Sequence, residues 1–305
     1  MAIMFAVSRQ LAPQSLLRDA KTRSTVFALT SARSGTMCLS ELLKRNAPQC
    51  TVVHESNDLN LWNPSMFGRV IYDRATGQFD AVRAVLRRKR RAIDLCGTPI
   101  YIETSHAFLK SYWDLAPEFF PQSKVFHLIR HPLEVACSES NRERWMVKRR
   151  KYPVRYRYRY YRGRDGRRYK RWTLTELEPI FSSFDLSQLT LFQRYLIQWI
   201  ELENRAMDYL QRFDMHARCL TLHSPQDLNS PQAAAAILDF VGVGHSGVAL
   251  LPGVQNATPP GYETTLGDSE LHQCSDVVAA LPATYLEIFQ HEPYAGQPWA
   301  ALLSK

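Results

Sequence analysis

Short β-branched apolar runs alternate along this chain with longer stretches whose apolar residues recur at helical spacing. Ser24-Thr25-Val26-Phe27-Ala28-Leu29-Thr30 is apolar through its middle and ends in small residues, the pattern of a buried strand. Leu39, Leu42 and Leu43 then predict a helix over 36–45. Segments 50–54, 99–103, 124–130 and 219–222 read as four further strands. Helices are predicted over 80–94, 133–145, 191–213 and 231–241. The first of these carries Arg83, Arg87, Arg88, Arg90 and Arg91 and should present a solvated face, while Tyr195, Trp199 and Leu202 mark the buried side of the third. Pro132 sits where a helix's first turn tolerates it.

Strands alternating with helices predict an α/β fold, a central parallel β-sheet flanked by helices on both faces. Such sheets bind ligands beyond the carboxyl ends of their strands. The turns after Thr30, His54, Glu103 and Arg130 should therefore share one rim. With no internal repeat and no linker, residues 1–305 are expected to form a single domain.

Composition adds limits. Hydrophobic residues make up 45% of the chain and charged residues 22%, which leaves enough apolar side chain for a sizeable core. Cys38, Cys50, Cys96, Cys137, Cys219 and Cys274 are scattered, with neither metal-ligand spacing nor a disulfide framework, so reduced thiols and no metal are expected. No apolar run approaches the roughly 20 residues that span a bilayer, and residues 1–20 lack a basic-then-apolar leader. A soluble, cytoplasmic protein is the expectation.

The net charge of +9 is unevenly placed. Between Asn141 and Trp172 stand 15 Lys and Arg against Glu143 and Asp165, a local +13 that leaves −4 for the rest. One basic segment on an acidic body favours an anionic partner at one place and argues against a general nucleic-acid binder.

Candidate chemistry begins at Ser31-Ala32-Arg33-Ser34-Gly35-Thr36, where a strand runs through a small-residue loop into a helix. Gly35 lets backbone approach an anion, the first helical N–H groups and the helix dipole favour negative charge, and Arg33 adds a planar cation. This is not a Walker A loop, because Thr36 rather than lysine follows Gly35. A second element is Arg130-His131-Pro132-Leu133-Glu134-Val135-Ala136-Cys137-Ser138. Arg130 ends an apolar strand, Ser138 lies about two turns along the next helix, and Arg142 shares the face of Ser138. An arginine with a serine hydroxyl suits a second phosphate.

Together the two elements resemble the sulfotransferase family, whose members pair a [PS]x[KR]SGT-type loop after the first strand with an RxPxxxxxS element roughly a hundred residues later. Weaker echoes are the aromatic helix around Trp199, the strand and following Gln226-Asp227-Leu228, and Phe240-Val241-Gly242; together they cover most of 22–244. The resemblance implies a P-loop NTPase-like sulfotransferase fold and the donor 3′-phosphoadenosine 5′-phosphosulfate. Arg33 and the amides of Ser34, Gly35, Thr36 and Met37 would hold its 5′-phosphosulfate, and Arg130 and Ser138 its 3′-phosphate. Arg33 stands where the cytosolic small-molecule branch has lysine and is more like the tyrosylprotein and carbohydrate branches. The RKGxxGxWK element of the cytosolic branch is absent.

Sulfuryl transfer to a hydroxyl or amine acceptor needs charge stabilisation, which Arg33 can supply, and a base. In the arginine-loop branches a glutamate after the second strand acts as base, which points to Glu55; Glu103 and His106 follow it as candidates. The Tyr/Arg-rich segment within 146–172 alternates with period two around Gly163 and Gly166, so it is expected to form a hairpin or lid with one aromatic and one cationic face. Three roles compete for it: a hairpin packed on the body, a clamp for an anionic or sugar-bearing acceptor, and a nucleic-acid or anionic-membrane surface. Rival functions are a small-molecule kinase and a non-enzymatic basic nucleic-acid-binding protein.

Overall fold

The computed structural model describes residues 23–55, 63–148, 159–251 and 265–305. Strand β1 (Ser24–Leu29) leads through the predicted small-residue loop into α1 (Thr36–Asn46). There follow β2 (Cys50–Val53), α2 (Arg69–Ala75), α3 (Phe79–Asp94) and β3 (Ile100–Glu103). Two short helices, α4 (Ala107–Ser111) and α5 (Ala116–Phe119), precede β4 (Lys124–Arg130) and α6 (Pro132–Lys148). A hairpin of β5 (Tyr160–Arg162) and β6 (Arg168–Lys170) comes next, then α7 (Leu191–Arg212), β7 (Cys219–Ser224), α8 (Pro231–Val241) and α9 (Asp268–Ala280).

The main sheet has the order β2-β3-β1-β4-β7, and every pairing in it is parallel. After β1 the chain goes to the edge at β2, returns to β3, and then crosses to the other side for β4. The carboxyl end of β1 thus lies at the point where the two halves of the sheet diverge. Alternation along β4 shows both faces covered. Val125 and Ile129 join the core beneath α2, α3, α6 and α7, while Phe126 and Leu128 join the core formed with α1 and α8. Tyr195, Trp199 and Leu202 are buried as their spacing predicted, in a helix opened by a Thr190/Gln193 capping box.

Helix α3 is less uniformly solvated than its arginines predict. Val82, Leu86 and Ile93 face inward, and Lys89 shares their stripe with no exposed surface. Its Nζ lies 2.5 Å from Glu103 Oε2, which also accepts from Tyr101 OH at 2.6 Å. Of the basic segment, residues 149–158 lie outside the described residues. The remainder does form a hairpin, in which Tyr161 pairs with Tyr169 on the face that packs Tyr169 against Tyr72 of α2. Arg162, Arg168 and Lys170 share the other face with Tyr160. Gly166 turns the hairpin at φ 77°, and a side chain at Gly163 would collide with Tyr72 and Tyr169.

Candidate active site

Two backbone reversals shape the loop after β1. Arg33 holds φ 63° and Gly35 φ 96°, both left-handed. Gly35 is the N-cap of α1 and brings no side-chain oxygen to the first-turn amides, so those donors face outward for another acceptor. Thr30 Oγ1 ties the loop to the Leu128 carbonyl of β4 at 3.0 Å, and the buried hydroxyls of Ser31 and Ser34 lie 2.7 Å apart. A Cβ on Gly35 would stand 2.7 Å from both Leu228 Cδ1 and Ser224 Oγ. Gly35→Ala is therefore expected to destabilise by about 1–3 kcal/mol, through the left-handed backbone and the crowding together. It should also weaken binding of an anion at the α1 terminus, which parallel denaturation and nucleotide titration would read.

Arg33 is the hub of the cation side. Its Nε donates to Ser138 Oγ at 2.9 Å, and its carbonyl accepts from Arg130 Nη1 at 2.9 Å. Arg130 and Ser138 are thus linked through Arg33. Glu134, one turn before Ser138 on α6, accepts from Arg130 Nε and Nη2 at 3.0 and 2.8 Å. Burial and the charges of Arg142 and Arg130 hold the Arg33 guanidinium below its usual pKa, with Glu139 opposing them. Crowded cations of this kind gain from an anion among them.

The ends of β2 and β3 bring a second group together. Glu55 Oε1 lies 3.2 Å from His106 Nε2 and 3.7 Å from His54 Nε2, and His54 Nδ1 meets Thr104 Oγ1 at 3.1 Å. Burial pushes the Glu55 carboxyl up, but the His106 hydrogen bond and the charges of His106, His54 and Arg142 outweigh it and hold the group at about 2. Burial and the Lys110 charge push His106 down to about 4. At neutral pH the pair is a carboxylate accepting Nε2–H from a neutral imidazole.

Glu103 does not belong to this group. It is 2% exposed and locked to Lys89 and Tyr101 inside the core, so it cannot meet a ligand on the rim. Lys110 is fully buried and donates to the Trp172 carbonyl at 2.7 Å, fastening the hairpin's return strand; burial lowers it to about 8.

Glu55 and His106 open with Ala32 into a recess walled by α6, the hairpin and α7, where Arg142, Tyr160 and Trp172 are among the lining side chains. The α6 wall was readable, since Glu139, Arg142, Glu143 and Met146 recur at three- and four-residue spacing. The contribution of Trp172 was not, because it depends on a long-range bond to Lys110. Among the described residues no group of His, Cys, Asp and Glu could hold a metal ion, and no helix is long and apolar enough to cross a membrane.

No protein-family model and no curated protein matches the chain. Among solved structures it is similar to a sulfotransferase from Alicyclobacillus acidocaldarius, at 15% identity and a TM-score of 0.45 over 86% of this chain and 96% of that one. It is also similar to the sulfotransferase domain from the curacin biosynthetic pathway, at 13% identity and a TM-score of 0.42 over 92% of this chain and 83% of that one.

Proposed function

We propose that this chain is an enzyme that transfers a sulfuryl group from 3′-phosphoadenosine 5′-phosphosulfate to a hydroxyl or amine acceptor by in-line displacement. The observation that carries the reading is one of adjacency. Ala32, in the loop that leads into the uncapped α1 terminus and beside the linked Arg33 and Arg130, lines the same recess as an ionised carboxylate hydrogen-bonded to a neutral histidine. The motif resemblance supplies the identity of the donor, and the left-handed Gly35, which caps α1 with no side-chain oxygen, leaves the first-turn amides to an anion such as a phosphate.

On this reading the α1 amides and Arg33 hold the 5′-phosphosulfate, and Arg33 neutralises charge that grows on the bridging oxygen as the S–O bond breaks. Arg130 and Ser138, joined through Arg33, face the 3′-phosphate. Glu55 Oε2 accepts the acceptor's proton while the new bond to sulfur forms. A carboxylate this acidic takes the proton late, once bonding to sulfur has made the acceptor's hydrogen acidic. His106 and His54 fix the orientation of the carboxylate through Oε1.

Thermal denaturation with 3′,5′-bisphosphoadenosine, ATP and RNA in parallel tests the proposal. The bisphosphate is expected to raise Tm by mass action, and the other two to leave it unchanged. Stabilisation by ATP without the bisphosphate would point to a kinase, and stabilisation by RNA alone to a nucleic-acid-binding protein.

A further inference from the structure

Ser138 and Arg142 lie one turn apart on α6, and Ser138 is held by Arg33 at 2.9 Å. The neighbouring side chains are committed elsewhere. Glu143 accepts from Tyr195 OH at 2.5 Å and meets Lys170 at 2.6 Å, and Arg144 donates to Asn141 at 3.1 Å. Arg142 is exposed, lines the recess with Ala32, Glu55 and His106, and has no hydrogen-bond or ion-pair partner among the described residues. Its charge reaches both sides of the site, depressing Arg33 on one and Glu55 on the other. Its guanidinium thus shares one recess with the candidate base and with Ala32 of the donor loop, one turn of α6 from the serine that binds Arg33.

We propose that Arg142 is a further catalytic residue, whose guanidinium contacts the nonbridging oxygens of the sulfuryl group as that group passes from the Arg33 side to the Glu55 side. This rests on the sulfuryl-transfer reading above. In the step, a lone pair of the acceptor oxygen or nitrogen forms the new bond to sulfur. The bond from sulfur to the bridging oxygen breaks, and its electron pair stays on the phosphate. The acceptor's proton goes to Glu55. Negative charge on the nonbridging oxygens is present throughout, and a planar fork of donors fits two of them together. Arg33 attends the phosphate end and Arg142 the sulfur end.

Binding separates this role from a general electrostatic one, and needs no acceptor. The full chain and its Arg142→Gln variant are titrated calorimetrically with the phosphosulfate donor and with the bisphosphate, which lacks the sulfuryl group. Arg142→Gln is expected to weaken the donor by about tenfold or more, the usual worth of a charge-assisted hydrogen bond, and to leave the bisphosphate unchanged. Arg142→Lys, which keeps the charge and loses the fork, should recover part of the loss. An equal fall for both ligands would make Arg142 a nucleotide-binding residue and overturn the proposal, as would no fall for either. Failure of the unaltered chain to bind either ligand would instead overturn the functional reading itself.

Discussion

Glu55→Gln is expected to lower turnover by about 10²–10⁴-fold, the usual contribution of a positioned general base, while leaving bisphosphate affinity unchanged. Glutamine keeps the shape and can still accept the His106 hydrogen bond through its amide oxygen, so the recess should survive. What disappears is the proton acceptor. Because Glu55 is held at about 2, the carboxylate is ionised throughout the neutral range, and the size of the loss should not vary with pH there. The measurement is release of bisphosphate from labelled donor, with the acceptor found by screening hydroxyl and amine compounds. Unchanged turnover would remove Glu55 from the chemistry and pass the role to His54 or His106, its two imidazole partners.

Lys89→Ala is expected to cost about 3–5 kcal/mol, the penalty for leaving one member of a buried ion pair without its partner. Glu103, 2% exposed in the intact protein, would be left with Tyr101 as its hydrogen-bond donor. Denaturant unfolding should show a lower midpoint at an unchanged slope. The double substitution Lys89→Met with Glu103→Leu removes both charges and should restore most of the loss, because matched apolar groups carry no desolvation cost at this depth. A small effect of Lys89→Ala would mean that water reaches Glu103, and would return it to consideration as a base.

Local pattern carried most of the secondary structure. The strand predicted over 124–130 and the helix over 231–241 stand where they were expected, because an apolar run or a 3.6-residue period is a property of neighbouring residues. Strand order was not available in that way; β3 enters between β1 and β2 through contacts between distant segments. The loop and the carboxylate at 55 were legible for a related reason, since each sits at the end of its own strand. Glu103 misled because a strand-end carboxylate looks alike whether it faces the rim or the core. A clue was present in α3, where Val82, Leu86 and Ile93 recur at helical spacing and Lys89 occupies the same stripe. Five arginines around that lysine hid it. Glu134 takes the Arg130 guanidinium at i,i+4, a sequence-local pairing, whereas the bond from Arg33 to Ser138 joins distant segments.

The hairpin has a consequence for how this protein could change over evolutionary time. The floor of the recess comes from strand ends that the whole sheet depends on, whereas one wall is a short hairpin fastened by Lys110 to the Trp172 carbonyl and by Arg164 to Asp73. Wall and floor are therefore separable units of inheritance. Exchange of Tyr160 or Lys170 alters the lining of the recess without touching Gly35 or Glu55. On the sulfuryl-transfer reading, a lineage built on this chain would diversify its acceptors while its donor end stayed fixed.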